Sequence, residues 1–242
     1  MPHHEENNFS APAETHEFEA LLFDMDGTII DSTEAIVKHW HQIGKEIGVP
    51  GEEILLTSHG RRSIDVLALL APDRANWDYV CLAEGNIPKL YGSSVVEIPG
   101  SRDILSQLSS AGVPWAIVTS GTRPLVQGWL DVMGLAQPKN MVTAEEVKKG
   151  KPDPECYAMG ARRLGFAGGG SRVLVLEDAP AGVRAGKAAG FKVVGLATTH
   201  DVEQLREAGA DWIVRDMRSV VFRGWDAKKG VARVEVRDGL VQ

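Results

Sequence analysis

Two carboxylates stand one residue apart in Asp24-Met25-Asp26-Gly27-Thr28, immediately after the apolar run Ala20-Leu21-Leu22-Phe23. An apolar run stopped by acids and a glycine marks a strand end. There the backbone leaves the alternating pleat, and both acids can face one cavity. Two acids so placed can divide the work of phosphoryl transfer, which needs a nucleophile, a proton for the departing alkoxide and neutralisation of the phosphate oxygens. Asp24 can supply the first and Asp26 the second. Read alone, the pentapeptide also fits a surface turn or the opening of a calcium loop. The calcium version fails downstream, because Asp31 and Ser32 run into a helical pattern without the loop's final Glu.

Three further stretches carry groups suited to the same chemistry. Thr119-Ser120-Gly121 follows Trp115-Ala116-Ile117-Val118 and precedes a helix expected from Arg123-Pro124. A hydroxyl and backbone N–H groups at a strand end make a cradle for phosphate oxygens, although a helix-capping Ser or Thr leaves the same trace. Lys151, held between Gly150 and Pro152, can aim a cation into the cleft, whereas Lys148 and Lys149 read as a solvated loop. Glu177-Asp178 ends the most apolar run in the chain, Val173-Leu174-Val175-Leu176. Isolated buried charges are costly, so acids there need a partner. A hard cation with oxygen ligands meets that need, and magnesium is the usual one beside phosphate. A helix cap at Asp178 explains one acid but not both.

The acids and the Thr119 stretch close runs of one grammar, which recurs at Val193-Val194-Gly195-Leu196 and at Trp212-Ile213-Val214 before Arg215-Asp216. Apolar runs without alternation suit strands buried on both faces of a parallel sheet. Helical spacing separates them: Ile104, Leu105 and Leu108 before Gly112; Leu125, Trp129, Leu130 and Met133 before Gly134; and an Ala-rich stretch over 179–190. The alternation predicts an α/β fold with a doubly wound parallel sheet, whose site lies beyond the carboxyl ends of the strands. Between residues 33 and 97 the pattern changes, with helical spacing over 35–47, 64–70 and 79–90 and no convincing strand among them. The expected organisation is a core of residues 19–32 and 98–242, an inserted all-helical domain over 33–97, and a disordered tail over 1–18. Near the end, Val231 to Val236 alternates apolar and charged residues, as a peripheral strand does, in a hairpin begun near Trp225.

The composition agrees with a packed fold: of 242 residues, 43% are hydrophobic and 24% charged. A net charge of -7 argues against a nucleic-acid partner, since that affinity comes from neutralising phosphates. A few local cations can still cancel the field inside one cleft. No apolar run approaches the ~20 residues of a membrane span, and residues 1–17 lack the pattern of a signal or transit peptide. A soluble, cytoplasmic, monomeric protein is expected. Cys81 and Cys156 read as separate thiols rather than a disulfide.

In their order along the chain, the stretches at Asp24-Met25-Asp26-Gly27-Thr28, Thr119, Lys151 and Glu177-Asp178 resemble the four signature motifs of the haloacid dehalogenase superfamily. The resemblance runs from about Glu19 to near the end. The insert is similar to the helical cap of the beta-phosphoglucomutase-like branch. Thr57-Ser58-His59-Gly60-Arg61-Arg62, Lys89-Leu90-Tyr91-Gly92, Val118-Thr119-Ser120-Gly121-Thr122-Arg123 and Leu176-Glu177-Asp178-Ala179-Pro180-Ala181-Gly182 resemble fungal glycerol-3-phosphate and 2-deoxyglucose-6-phosphate phosphatases.

That resemblance implies a phosphatase acting on a small phosphorylated polyol or sugar through an aspartyl-phosphate on Asp24, with Asp26 as acid and base. It implies Mg2+ held by the Asp24 and Asp178 carboxylates and the Asp26 carbonyl, with Glu177 behind them. Phosphate oxygens would meet Thr119, Lys151 and the amides of Ser120 and Gly121. A sugar phosphomutase is the enzymatic alternative. In mutases of this branch a His gates the acid, and the aligned residue is Ile36. A regulator that binds metabolites without turnover is the non-enzymatic one. The alcohol would be read by His59, Arg61 and Arg62, where Gly60 lets the backbone turn inward; both arginines also suit a solvated helix start.

Overall fold

Short aliphatic runs that end in polar residues or glycine become strands here, and the amphipathic stretches between them become helices. The computed structural model describes residues 8–58, 60–166 and 172–241. In chain order the first elements are β1 (Phe9–Ala11), β2 (Glu14–Phe18), β3 (Ala20–Phe23) and β4 (Ile30–Asp31). Four helices follow, α1 (Thr33–Ile47), α2 (Gly51–Ser58), α3 (Ser63–Leu70) and α4 (Trp77–Tyr91). Next come β5 (Val96–Glu97), α5 (Ser101–Ala111), β6 (Trp115–Val118), α6 (Arg123–Met133), β7 (Asn140–Val142) and α7 (Glu155–Arg163). The alternation continues through β8 (Val173–Glu177), α8 (Pro180–Ala188), β9 (Lys192–Leu196), α9 (Val202–Glu207) and β10 (Trp212–Val214). The last strands are β11 (Val220–Asp226), β12 (Val231–Val236) and β13 (Gly239–Leu240).

The main sheet is parallel, in the order β10-β9-β8-β3-β6-β7. From the central β3 the chain builds outward through β6 and β7 on one side and β8, β9 and β10 on the other. This reversal opens a crevice at the carboxyl end of β3. The sequence announces five of these strands; β7, Asn-Met-Val, opens on a polar residue and leaves only two apolar ones in a row, so it does not stand out. Alternate strand residues enter two separate apolar layers. Leu21, Phe23, Ile117, Leu174 and Leu176 pack on one face, while Ala20, Leu22, Ala116, Val118, Val173 and Val175 pack on the other. Burial on both faces is why the runs do not alternate.

Helices α1 to α4 have a cluster of their own, built from Trp40, Ile43, Ile54, Val66, Leu67, Ala71 and Val80. Ile87 of α4 reaches instead into the layer that contains Phe23 and Trp129. The helical segment thus has apolar packing of its own and is also anchored to the main core through Ile87. No helix among the described residues is long and apolar enough to cross a membrane.

A separate three-stranded sheet corrects, over residues 8–18, the reading of residues 1–18 as a disordered tail. β12 pairs antiparallel with β11 on one side, as the expected hairpin, and with β2 on the other. β1 pairs with β13. Glu14-Thr15-His16-Glu17-Phe18 has no apolar alternation to announce it. It is a strand because the second edge of β12 offers unpaired backbone groups, and those must be satisfied. Phe18, only 3% exposed, then plugs into the main core. Residues 1–7 lie outside the described residues.

A chain that starts at Glu19 loses both the β2–β12 ladder and the Phe18 anchor. Urea unfolding of that truncation should show a loss of about 2 kcal/mol or more, the scale of burying one aromatic side chain. A structureless tail would leave the unfolding midpoint unchanged.

Candidate active site

The acid pair is placed by β3 and its neighbours. The Asp24 N–H donates to the Leu176 carbonyl at 3.0 Å, so residue 24 continues β3 in register with β8. The chain then turns at Gly27, whose φ is +90° and where a Cβ would lie 2.1 Å from Asp178 Oδ2. Only glycine satisfies both the left-handed backbone and the close approach of the second acid. The Ile29 and Ile30 N–H groups close the turn on the Met25 carbonyl, and Ser32 Oγ donates to Asp26 Oδ1 at 2.5 Å.

Lys151 joins two of the acids. Its Nζ lies 2.5 Å from Asp24 Oδ1 and 2.5 Å from Glu177 Oε1, and also donates to the Val118 carbonyl at 3.3 Å. Glu177 is saturated by the protein itself. Oε1 additionally accepts from the Tyr157 hydroxyl at 2.8 Å, and Oε2 accepts the Asp178 and Ala179 N–H groups, both at 3.0 Å. Asp178 accepts from Thr28 Oγ1 at 3.2 Å and from the Thr199 hydroxyl, and has His200 Nδ1 at 3.9 Å.

Burial pushes the Asp24 carboxyl well above its usual range; Lys151 opposes this, while Glu177 and Asp178 add to it. Asp178 is lifted to about 7 by burial and then by Glu177, against its hydroxyl donors and Lys151. Burial alone would lower the Lys151 ammonium, but Asp24 and Glu177 outweigh it and hold it above its ordinary value. Burial also raises Asp26, opposed first by the Ser32 hydrogen bond.

Asp24, Glu177 and Asp178 bring carboxylate oxygens within 4.8 Å of one another, all buried, with a single ammonium among them. Three carboxyl groups share one ammonium in a dry place, and two of them are lifted toward the neutral acid for want of a further cation, so this cluster fits a divalent ion with oxygen ligands. Because Glu177 already accepts four hydrogen bonds, Asp24 and Asp178 are the carboxylates left to hold it.

Asp24, Asp26, Thr119, Ser120, Gly121, Lys151, Glu177 and Asp178 all line one cavity of about 110 Å³. The expected phosphate cradle is partly engaged within the protein. The Gly121 N–H donates to Thr119 Oγ1 at 3.0 Å, and Ser120 Oγ donates to the Gly60 carbonyl at 3.0 Å. The cap residues divide. Arg61 lines the cavity with an exposed side chain, whereas His59 lies outside the described residues.

Arg62 corrects its expected role, because it is buried away from the cavity. It grips Asp65 through two 2.8 Å bonds and donates to the carbonyls of Val147 (2.8 Å), Lys148 (3.2 Å) and Ala144 (3.4 Å). It therefore fastens the helical segment to the loop before Lys151, and a guanidinium with its donors so used has little left for a ligand.

Sequence reasoning missed Thr199 and His200, although they follow β9, and the rule that ligands sit beyond strand carboxyl ends would have flagged them. It also missed Ser58, Ser63, His39 and Glu84 of the helical segment, for which only the docked helices give a signal. His39 is pulled down to about 4 by burial, so it is neutral near pH 7.

Comparison with known proteins identifies the family. A family model for haloacid dehalogenase-like hydrolases matches residues 21–196. Glycerol-1-phosphate phosphohydrolase 2 of Saccharomyces cerevisiae is 43% identical over 216 residues, covering 86% of each chain. The 2-deoxyglucose-6-phosphate phosphatase 1 of the same organism is 37% identical, over 82% of this chain and 88% of its own. Among solved structures, a putative beta-phosphoglucomutase from Bacteroides vulgatus superposes with a TM-score of 0.64 at 30% identity, covering 83% of this chain and 84% of its own.

The two arginines should separate in stability. Arg62→Ala leaves three carbonyls without their donor and should cost about 2–3 kcal/mol in urea unfolding. Arg61→Ala, at an exposed position, should stay within about 0.5 kcal/mol of the parent. Equal unfolding curves for the two variants would contradict the anchoring role of Arg62.

Proposed function

The chain belongs to the haloacid dehalogenase-like hydrolases and is a phosphoric monoester hydrolase, and on that premise we propose that it cleaves a small polyol or sugar phosphate with Asp24 as nucleophile. The observation that carries this reading is the buried Asp24 carboxylate, held 2.5 Å from Lys151 and two residues from an acid in a different environment. Asp24 attacks phosphorus, and the ester oxygen leaves with the proton of Asp26. Burial favours the protonated form of Asp26, as a general acid requires. Asp26 then takes a proton from the water that attacks the aspartyl-phosphate, the bond from phosphorus to Asp24 breaks, and inorganic phosphate leaves with the Asp24 carboxylate and protonated Asp26 restored.

Asp24 and Asp178, with the backbone carbonyl of Asp26, would hold Mg2+, which when bound offsets the charge of the phosphate oxygens. Lys151 orients Asp24 and, with Thr119 and the Ser120 amide, meets the transferring oxygens. Glu177 fixes Lys151, and Tyr157 fixes Glu177.

In this reading residues 33–97 act as a cap domain over the core of residues 19–32 and 98–242. The cap supplies Ser58, Arg61, Ser63 and Glu84 to the cavity and limits it to a short alcohol. Ile36, an apolar residue in the cavity lining, stands where a phosphomutase of this branch would carry its gating His. Water is then the acceptor, not a second sugar hydroxyl.

A panel of phosphate esters assayed with purified protein and Mg2+ tests the reading. Glycerol phosphates and deoxysugar phosphates should exceed nucleotides and phosphopeptides as substrates. Asp24→Asn, which keeps the shape but not the nucleophile, should lower turnover by several orders of magnitude and still fold. Near-parental phosphate release by the folded variant would exclude this nucleophile.

Removal of divalent metal should abolish activity and Mg2+ should restore it. Ca2+, with its larger and looser shell, should inhibit. Full turnover in excess chelator would exclude the metal role of Asp24 and Asp178.

A further inference from the structure

One cap carboxylate faces the acid–base residue and takes no part in the acidic cluster. Glu84 of α4 is only 4% exposed yet lines the cavity. Its Oε1 accepts from Ser63 Oγ at 2.5 Å, and its Oε2 accepts the Thr122 N–H at 2.7 Å. Thr122 follows Gly121, where an added Cβ would come within 3.8 Å of Asp26 Oδ2. The Glu84 carboxylate is thus brought to the neighbourhood of Asp26, the side on which the alcohol departs.

A carboxylate offers about four acceptor positions, and two are used here. Ser58, which lines the same cavity, has a buried hydroxyl with no hydrogen-bond partner among the described residues. A buried carboxylate with spare acceptors and an unsatisfied hydroxyl are expensive to keep beside a cavity unless a ligand completes them. The complementary ligand carries hydroxyl groups.

We propose that Glu84 is a specificity-determining residue: it accepts a hydrogen bond from a hydroxyl of the substrate's alcohol half, with Ser58 beside it. Burial lifts the Glu84 carboxyl to about 7, so above neutral pH its negative charge near Asp26 also disfavours esters whose alcohol half bears a carboxylate of its own. Arg61 does not cancel that charge, because its side chain is exposed and screened by water. This assignment rests on the phosphatase reading and names which group selects the alcohol.

The test compares the parent with Glu84→Gln on glycerol 3-phosphate, p-nitrophenyl phosphate and phosphoglycolate, with Mg2+ present. Glutamine keeps the shape and can still accept from Thr122. The expected result is a fall in kcat/KM of about tenfold or more on glycerol 3-phosphate, the scale of one charged hydrogen bond. On p-nitrophenyl phosphate, which has no hydroxyl to read, the change should stay within about threefold. Phosphoglycolate should gain at least about threefold relative to glycerol 3-phosphate.

Ratios between substrates are independent of the folded fraction, so a partly unfolded variant still gives an answer. A common loss on all three esters would make Glu84 a tie between cap and core and overturn the proposal while leaving the phosphatase reading intact. Unchanged ratios with full activity would overturn it equally. If the parent releases phosphate from none of a wider panel, the phosphatase reading falls and this assignment with it.

Discussion

One buried ammonium organises the carboxyl edge of the sheet. Lys151 Nζ sits between Asp24 and Glu177, with 3% of its side chain exposed. Its partners come from the ends of β3 and β8, and it comes from the segment before α7. Three separately placed stretches must therefore end at one point. Removing one member of a buried ion pair leaves the other charge without compensation, typically a cost of about 3–5 kcal/mol. Tyr157 extends the constraint into α7, because its hydroxyl bonds the oxygen of Glu177 that Lys151 also meets. The neighbouring Cys156 is raised to about 11 by burial, so its thiol stays neutral and packs as a small apolar group.

This convergence dictates the small residues around it. Gly182, in the first turn of α8, lies where a Cβ would come 1.6 Å from Glu177 Oε1. The helix can start directly over the acid only because that side chain is absent. The same loops also receive the helical segment. Ser120 bonds the Gly60 carbonyl, Thr122 bonds Glu84, and Arg62 bonds the carbonyls between Ala144 and Lys148. Polar groups beyond the strand ends thus serve two surfaces, one facing the acids and one facing the helices above.

What was legible in the sequence follows from how local each cause is. Ala20-Leu21-Leu22-Phe23 and Val173-Leu174-Val175-Leu176 announce central strands, because burial on both faces is recorded in every residue. The acids and Thr119 stand at the ends of such runs and Lys151 is held between Gly150 and Pro152, so the cavity in which they meet could be anticipated. Glu14-Thr15-His16-Glu17-Phe18 could not be read as a strand, because its cause is a vacant edge more than two hundred residues away in sequence. Arg62 was misassigned for the same kind of reason. A buried arginine and a solvent-facing one look alike in a sequence, and only the carbonyls near Val147 distinguish them. Glu84 carried no mark at all, since an acid in a helix is ordinarily solvated and its burial depends on how α4 meets α6.

The contrast between Asp24 and Asp26 shows how two identical side chains, two residues apart, come to differ. Both are buried deeply enough for desolvation to favour the neutral acid. Their partners then separate them. Asp24 meets an ammonium at 2.5 Å and shares a cluster suited to a further cation, both of which favour its anion. Asp26 meets a hydroxyl from Ser32 at 2.5 Å and no ion pair among the described residues, and burial still outweighs the Ser32 bond and the more distant Lys151 charge. A nucleophile must be ionised and a general acid must hold its proton; burial biases both carboxyls toward the neutral acid, so contact with Lys151 and a place in the cluster suited to a cation are what set Asp24 apart. Gly27 keeps the groups together. Its left-handed turn, with no Cβ to meet Asp178, folds the chain back at once, so that Ser32 reaches Asp26 while Asp178 closes on the same corner.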